Sequence, residues 1–244
     1  MQDPFVPDPT APAARLRDRD RVPLVLLVCL PILLLWDAGG LDLQVTRLFG
    51  SGQGFALRDH MLLTTVMHEG ARTLSWAVTA WLVLGIAFPT GLQRRLARAD
   101  RIRWAVATLL AATAVSLIKA VSWTSCPWDL AEFGGVAQYI SHWQLGLRDG
   151  GSGHCFPAGH AAAGFAHLAG WFALRHHAPR AARWWLAAAL LAGLALGLAQ
   201  QLRGAHHLSH TLWSAWVCTV VVWSVDRLRF ERARSALLSL RGRS

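Results

Sequence analysis

Three short segments hold most of the side chains that could do chemistry. The first runs Lys119-Ala-Val-Ser-Trp-Thr-Ser-Cys126-Pro127-Trp128-Asp129. The second is Cys155-Phe-Pro157-Ala158-Gly159-His160, and the third is Gln200-Gln-Leu-Arg203-Gly-Ala-His206-His207-Leu-Ser209-His210. A Lys, a helix start with free backbone N–H groups, and an Arg with several imidazoles make a set suited to a tetrahedral anion. Imidazoles that exchange protons near neutral pH can divide the roles of nucleophile and proton donor, so phosphoryl transfer without a metal is the direct chemical reading. Each segment alone has an ordinary explanation. Lys119 could be a snorkelling anchor, and Pro157 with Gly159 could be no more than a helix start.

The elements that must position these groups follow from composition. Of 244 residues, 54% are apolar and 16% charged, against about 25% charged in soluble domains. That balance excludes disorder and disfavours a soluble enzyme. Residues 22–36, 73–93, 104–118, 150–174, 184–202 and 204–225 hold no Asp, Glu, Lys or Arg. About 20 residues of helix cross a bilayer, so the two 15-residue stretches borrow neighbours, Asp37 to Leu41 and Lys119 to Trp123. The expectation is an all-α integral membrane bundle of six transmembrane helices. A cleaved signal peptide is the rival for the first span, since basic residues precede an apolar core.

The net charge of +10 points away from nucleic acid once its placement is read. The Arg clusters at 15–21, 94–103, 175–183 and 227–243 are separated from one another by pairs of spans, as the positive-inside rule requires. Both termini then face the cytoplasm and the three segments share the extracytoplasmic face, periplasmic in a bacterial inner membrane. His60, His68, His142, His154, His160, His206, His207 and His210, of 11 His in all, lie on that side. The chain divides into an N-terminal tail over 1–21, a membrane domain over 22–226 and a basic C-terminal tail over 227–244. Cys126 and Cys155 both fall in outer segments, where a disulfide or two unrelated loop cysteines are equally open. His68-Glu69-x-x-Arg72 reads as a surface ion pair, with Arg72 as a reserve cation for the site.

The three segments, in order and at one face, resemble the phosphatidic-acid-phosphatase type 2 superfamily of integral membrane phosphatases. Its pattern is K-x6-R-P, then P-S-G-H, then S-R-x5-H-x3-D. The resemblance covers residues 22–226 and implies that His206 is the nucleophile of a phosphohistidine intermediate and that His160 protonates the leaving group. It also implies that Lys119 and the Gly159 N–H hold phosphate oxygens. Cys126 stands where the family has Arg, Ala158 where it has Ser, Gln200 where it has Arg, and His210 where it has the Asp that orients the nucleophile. Arg203, one turn from Gln200, could reach the same place, and His210 could accept the far proton of His206. Asp129 or Glu132 could supply the missing negative charge.

The substrate class implied is a lipid phosphate: a polyprenyl diphosphate, a glycerophospholipid phosphate or a lipid A phosphate. Transfer of the phosphoryl group to another lipid, or binding without turnover, are the alternatives. A zinc site from His206, His210, His160 and Asp129 is disfavoured because Lys119 and Arg203 would repel the ion and no H-E-x-x-H is present. No cofactor is expected, membrane lipids surround the chain, and nothing in the sequence sets an oligomeric state.

Overall fold

The computed structural model describes residues 21–241, with side-chain surroundings through residue 228, and is mostly helical. The tail expected at 1–21 lies outside that range except for Arg21. Helix α1 (Val22–Ala38) begins with Pro23 in its first turn, where a missing N–H costs nothing, and is followed by the short α2 (Leu41–Thr46). A two-stranded hairpin, β1 (Gly50–Ser51) with β2 (Gly54–Phe55), precedes a wide π-helical stretch over Leu62–Gly70 that runs on into α3 (Ala71–Leu84). Then follow α4 (Arg98–Val121), α5 (Gly159–Phe165), α6 (Ala169–Leu174), α7 (Pro179–Leu202) and α8 (Leu208–Arg241). Three of these, Arg98–Val121, Pro179–Leu202 and Leu208–Leu228, are long and apolar enough to cross a membrane, and α1 is a shorter apolar helix.

Two of the expected spans sit differently. The second is helical over 62–84 rather than 73–93, since Gly85 caps α3 and Pro89 cannot continue it. The fourth begins at Gly159 rather than 150. Gly150, His154 and Gly153 hold positive φ, so residues 150–158 form an irregular approach to the helix. An uncharged stretch of Gly and Ser lacks charge without being apolar. Helix α8 runs on past residue 226, where the basic C-terminal segment begins, to Arg241.

Small residues let the central helices approach closely. A Cβ on Gly164 of α5 would fall on the Gly193 backbone of α7, and one on Gly193 would fall on the Phe165 ring. The core runs along these contacts through Trp104, Ala111, Val115, Ala161, Phe165, Leu174 and Val222, each 5% exposed or less. Trp81, Trp104 and Trp185 pack in a cluster with ring centroids 5.0–6.2 Å apart. Alternation of chain direction then puts the α4 C-terminus, the α5 N-terminus, the α7 C-terminus and the α8 N-terminus at one end of the bundle. The Arg clusters at 94–103 and 175–183 lie at the other end, where Arg175 pairs with Asp226 at 2.6 Å.

Candidate active site

Two irregular loops are laced together beside the α4 C-terminus. His154 N–H donates to the Ser122 carbonyl (2.8 Å) and Cys155 N–H to that of Thr124 (2.9 Å). The buried Asp149 carboxylate accepts from Ser125 N–H (2.6 Å), the Ser125 hydroxyl (2.7 Å) and Gly151 N–H (3.0 Å). A Cys126–Cys155 disulfide, Cα atoms 5.2 Å apart, closes the arrangement. Lacing of this kind fixes where α5 starts relative to Lys119. A Cβ on Gly159 would lie 3.9 Å from Lys119 Nζ, so the ammonium rests against the first turn of α5. Gly159 and His160 open that helix, where the first N–H groups have no intrahelical acceptor.

The third segment is shaped by Gly204. Its φ of +76° turns the chain out of α7, and a side chain there would strike the Phe55 ring. Ala205 N–H then donates to the Gln200 carbonyl at 2.8 Å, and Trp128 N–H to the Gly204 carbonyl at 2.9 Å. His206 emerges from this turn buried, 4% exposed. Burial pushes its pKa well below the usual histidine value, with the Lys119 charge and then His160 adding to the effect, so its imidazole is neutral. His206 Nδ1 faces His210 Nδ1 at 3.4 Å, which turns Nε2 away from His210.

His160 lies across the site. Its Nε2 is buried with no hydrogen-bond partner among the described residues. The His68 ring stacks on it with centroids 3.7 Å apart, and the charges of Lys119, Arg203 and Arg72 act on it. Arg72, Lys119, Gly159 and His160 share a cavity of about 250 Å³ between α3, α4 and α5. Arg72 also pairs with Glu69 at 3.0 Å, so the surface ion pair and the reserve cation are one arrangement. Arg203 donates to Gln200 Oε1 (3.2 Å) and to the Arg58 carbonyl (2.8 Å), over the helix face that Gln200 occupies.

Several expected roles change here. Cys126 sits in the disulfide, so its sulfur has no hydrogen to offer a phosphate. Ala158 N–H is spent on the His210 carbonyl at 3.1 Å, and its methyl is no donor. Asp129 accepts from the Ser152 hydroxyl at 2.9 Å, and Glu132 pairs with Arg47 at the surface, so neither carboxylate reaches the imidazoles. The carboxylates that do come near arise from the first helices. Asp42, 2% exposed, accepts from Ser209 N–H (3.0 Å), the Ser209 hydroxyl and Trp36 Nε1 (3.0 Å), and its charge acts on His207. Asp37 accepts from Trp143 Nε1 (2.9 Å) and Trp213 Nε1 (2.8 Å) and pairs with His142 at 3.2 Å.

His210 is thereby enclosed by other rings. Centroids of His206, His207, His142 and Phe156 lie 5.6, 5.2, 6.0 and 5.3 Å from its own. It touches the imidazole of His206 and is placed to support it. His207 is in turn held by the Thr46 hydroxyl at 2.7 Å. Among the described residues no group of three His, Cys, Asp or Glu is disposed to hold a metal ion.

A family model for the PAP2 superfamily matches residues 101–234, more than half of the chain and all three segments. The chain belongs to the PAP2 superfamily. No curated protein and no solved structure matches it. Members of the superfamily are generally phosphatases acting on phosphate esters, and the apolar helices of this PAP2 chain fit a membrane protein. Asp37, Asp42, His68 and His142 were not singled out as site residues by the sequence motifs. For the two histidines the signal was their place among the eight that share one face. For the two aspartates there was only their position at the outer end of an apolar run.

Proposed function

We propose that this PAP2 protein is a metal-independent membrane phosphatase that removes phosphate from a lipid phosphomonoester or diphosphate through a phosphohistidine on His206. The observation that carries the reading is a buried neutral imidazole, its Nδ1 facing His210, beside Lys119 and His160. His206 Nε2 attacks phosphorus, forming an N–P bond as the P–O bond to the lipid breaks. His160, which takes up a proton as the phosphate's negative charge enters beside it, gives that proton to the departing oxygen. Water then attacks phosphorus, returns a proton to His160 and releases phosphate as the N–P bond breaks.

Lys119, Arg203 and the N–H groups opening α5 supply positive potential for the equatorial oxygens, whose charge grows as the bond to the leaving group loosens. Arg72 supplies a third cation, in the cavity it shares with Lys119. The active site faces the extracytoplasmic side of a six-helix bundle, as the distribution of Arg clusters supports, in a bacterial inner membrane. Transfer to a second lipid in place of water is the second reading, favoured by the burial of His206, which limits water's approach.

Phosphate release from polyprenyl diphosphate, diacylglycerol phosphate and lipid A by detergent-purified protein tests the proposal. Release that is lost in His206→Ala and unchanged by a chelator is expected. Release that survives His206→Ala, or that a chelator abolishes, would overturn it.

A further inference from the structure

A second cavity, of about 280 Å³, opens at the same end of the bundle, on another face of α4 from the one that carries Lys119. Ile118 and Val121 of α4, Val217 of α8 and Phe156 wall it, together with residues 140–147. Lys119, His160, Arg203 and His206 take no part in its lining. The 140–147 segment is pinned in place: Trp143 Nε1 donates to Asp37 (2.9 Å), the Trp143 and Trp213 rings meet edge to face at 5.2 Å, and His142 stacks on Phe156 at 3.9 Å. It nevertheless turns Leu145 outward, 85% exposed, and Leu147 close by. Val121, 74% exposed, continues that apolar surface along α4, a helix long and apolar enough to cross a membrane. A fixed loop with outward leucines, continuous with the apolar face of a span, suits contact with hydrocarbon.

Arg148 brings a cation to the rim. Its guanidinium lies over the ring of Trp123, a lining residue, with Cζ 4.1 Å from the centroid. The neighbouring Asp149 is no partner for it, because that carboxylate is buried and taken by Ser125 and Gly151. Among the described residues no carboxylate pairs with Arg148. Stacking occupies the guanidinium's face and leaves its N–H edge for oxygen acceptors. Trp123 stands two residues past the end of α4, at the depth where indoles meet lipid headgroups. Ile118 lies about 4.5 Å deeper than Val121 along α4, and Val217 about 6 Å deeper than Trp213 along α8. The cation is therefore at phosphate depth and the apolar walls are at acyl depth.

We propose that this groove holds one anionic phospholipid, apart from the phosphatase site, with its phosphodiester on Arg148 and the upper part of an acyl chain between Ile118, Phe156 and Val217. Every membrane lipid offers the groove a chain, and a chain gains little by exchanging one apolar surface for another. The choice of lipid falls to Arg148. A headgroup whose only charge is its phosphate leaves that phosphate free for the guanidinium, whereas a choline headgroup carries a cation of its own. One basic side chain at headgroup depth is worth about fivefold in affinity for an anionic over a neutral lipid.

The test is photo-crosslinking in lipid nanodiscs followed by peptide mapping, so that lipids held by the Arg clusters at the other end of the bundle are counted separately. The probes are phosphatidylglycerol and phosphatidylcholine carrying the same diazirine acyl chain. Wild type is expected to take label on residues 140–147 and 213–217 about fivefold more from phosphatidylglycerol than from phosphatidylcholine, and unlabelled phosphatidylglycerol should compete it away. Arg148→Gln should make the two lipids equal there, and Arg148→Glu should turn the preference to phosphatidylcholine. Val217→Phe, which fills the groove, should lower labelling by both. Equal labelling by the two probes in wild type, a preference that survives Arg148→Gln, or labelling that Val217→Phe leaves unchanged overturns the inference. So does a groove left unlabelled because two copies of the chain meet there.

Discussion

Replacing His210 by Asp should make the protein a faster phosphatase and a less stable one. His210 Nδ1 is two bonds from Cβ, as is a carboxylate oxygen of Asp, so His210→Asp sets an oxygen close to where Nδ1 now meets His206 at 3.4 Å. Positive charge develops on His206 as its Nε2 bonds to phosphorus. A neutral acceptor at the other nitrogen contributes about 1 kcal/mol, whereas hydrogen bonds to charged groups contribute about 1.5–3 kcal/mol. The difference is of the order of 1.4 kcal/mol, or about tenfold in kcat. The carboxylate is buried where the imidazole was 1% exposed, and its desolvation lowers stability. His210→Asn, with a neutral oxygen in the same place, should keep kcat within a few-fold of wild type, and His210→Ala should lower it about fivefold. Initial rates of phosphate release at saturating substrate give the series. An alanine variant as fast as wild type, or an aspartate variant no faster than the asparagine one, refutes the idea that His210 holds the nucleophile.

Other outcomes follow from the same contacts. His206 has its folded pKa below the unfolded value of 6.5, so the unfolded chain binds more protons as pH falls through 6.5 and stability drops. At pH 5.5 the loss is about 1.4 kcal/mol from this residue, and the pH slope of thermal unfolding in detergent should flatten in His206→Ala. Glu132→Gln should leave turnover within about twofold, because Glu132 serves only an exposed pair with Arg47. Removing the Cys126–Cys155 disulfide, which spans 29 residues of sequence, should cost about 3 kcal/mol of stability, read from denaturation of Cys126→Ser with Cys155→Ser. Gly164→Leu should destabilise the bundle by about 3 kcal/mol or more, because its side chain would enter the Gly193 backbone of α7; thermal unfolding measures it.

The reach of sequence reasoning here has a physical boundary. That Lys119, Gly159, His160 and His206 would lie together was legible because each sits in a short segment whose place is fixed by a helix end. That Arg203 would reach over the helix face of Gln200 was legible for the same reason, since the two are one turn apart. Asp42 was not, because its partner Ser209 is 167 residues away and only packing of α1 and α2 against α8 joins them. Asp37 and His142, 105 residues apart, are the same case. Helix ends at 84 and 159 were misjudged because charge marks where a span cannot be and says little about where a Gly- and Pro-rich stretch leaves the helix.

The central claim is a covalent bond between phosphorus and His206 Nε2. Rapid quench of the protein with a radiolabelled lipid phosphate, followed by peptide mapping under alkaline conditions that preserve phosphohistidine, looks for it directly. The expected result is label on the peptide holding His206, lost at acid pH and absent in His206→Ala. Turnover with no labelled histidine, or label on His160 or His210 instead, would contradict it.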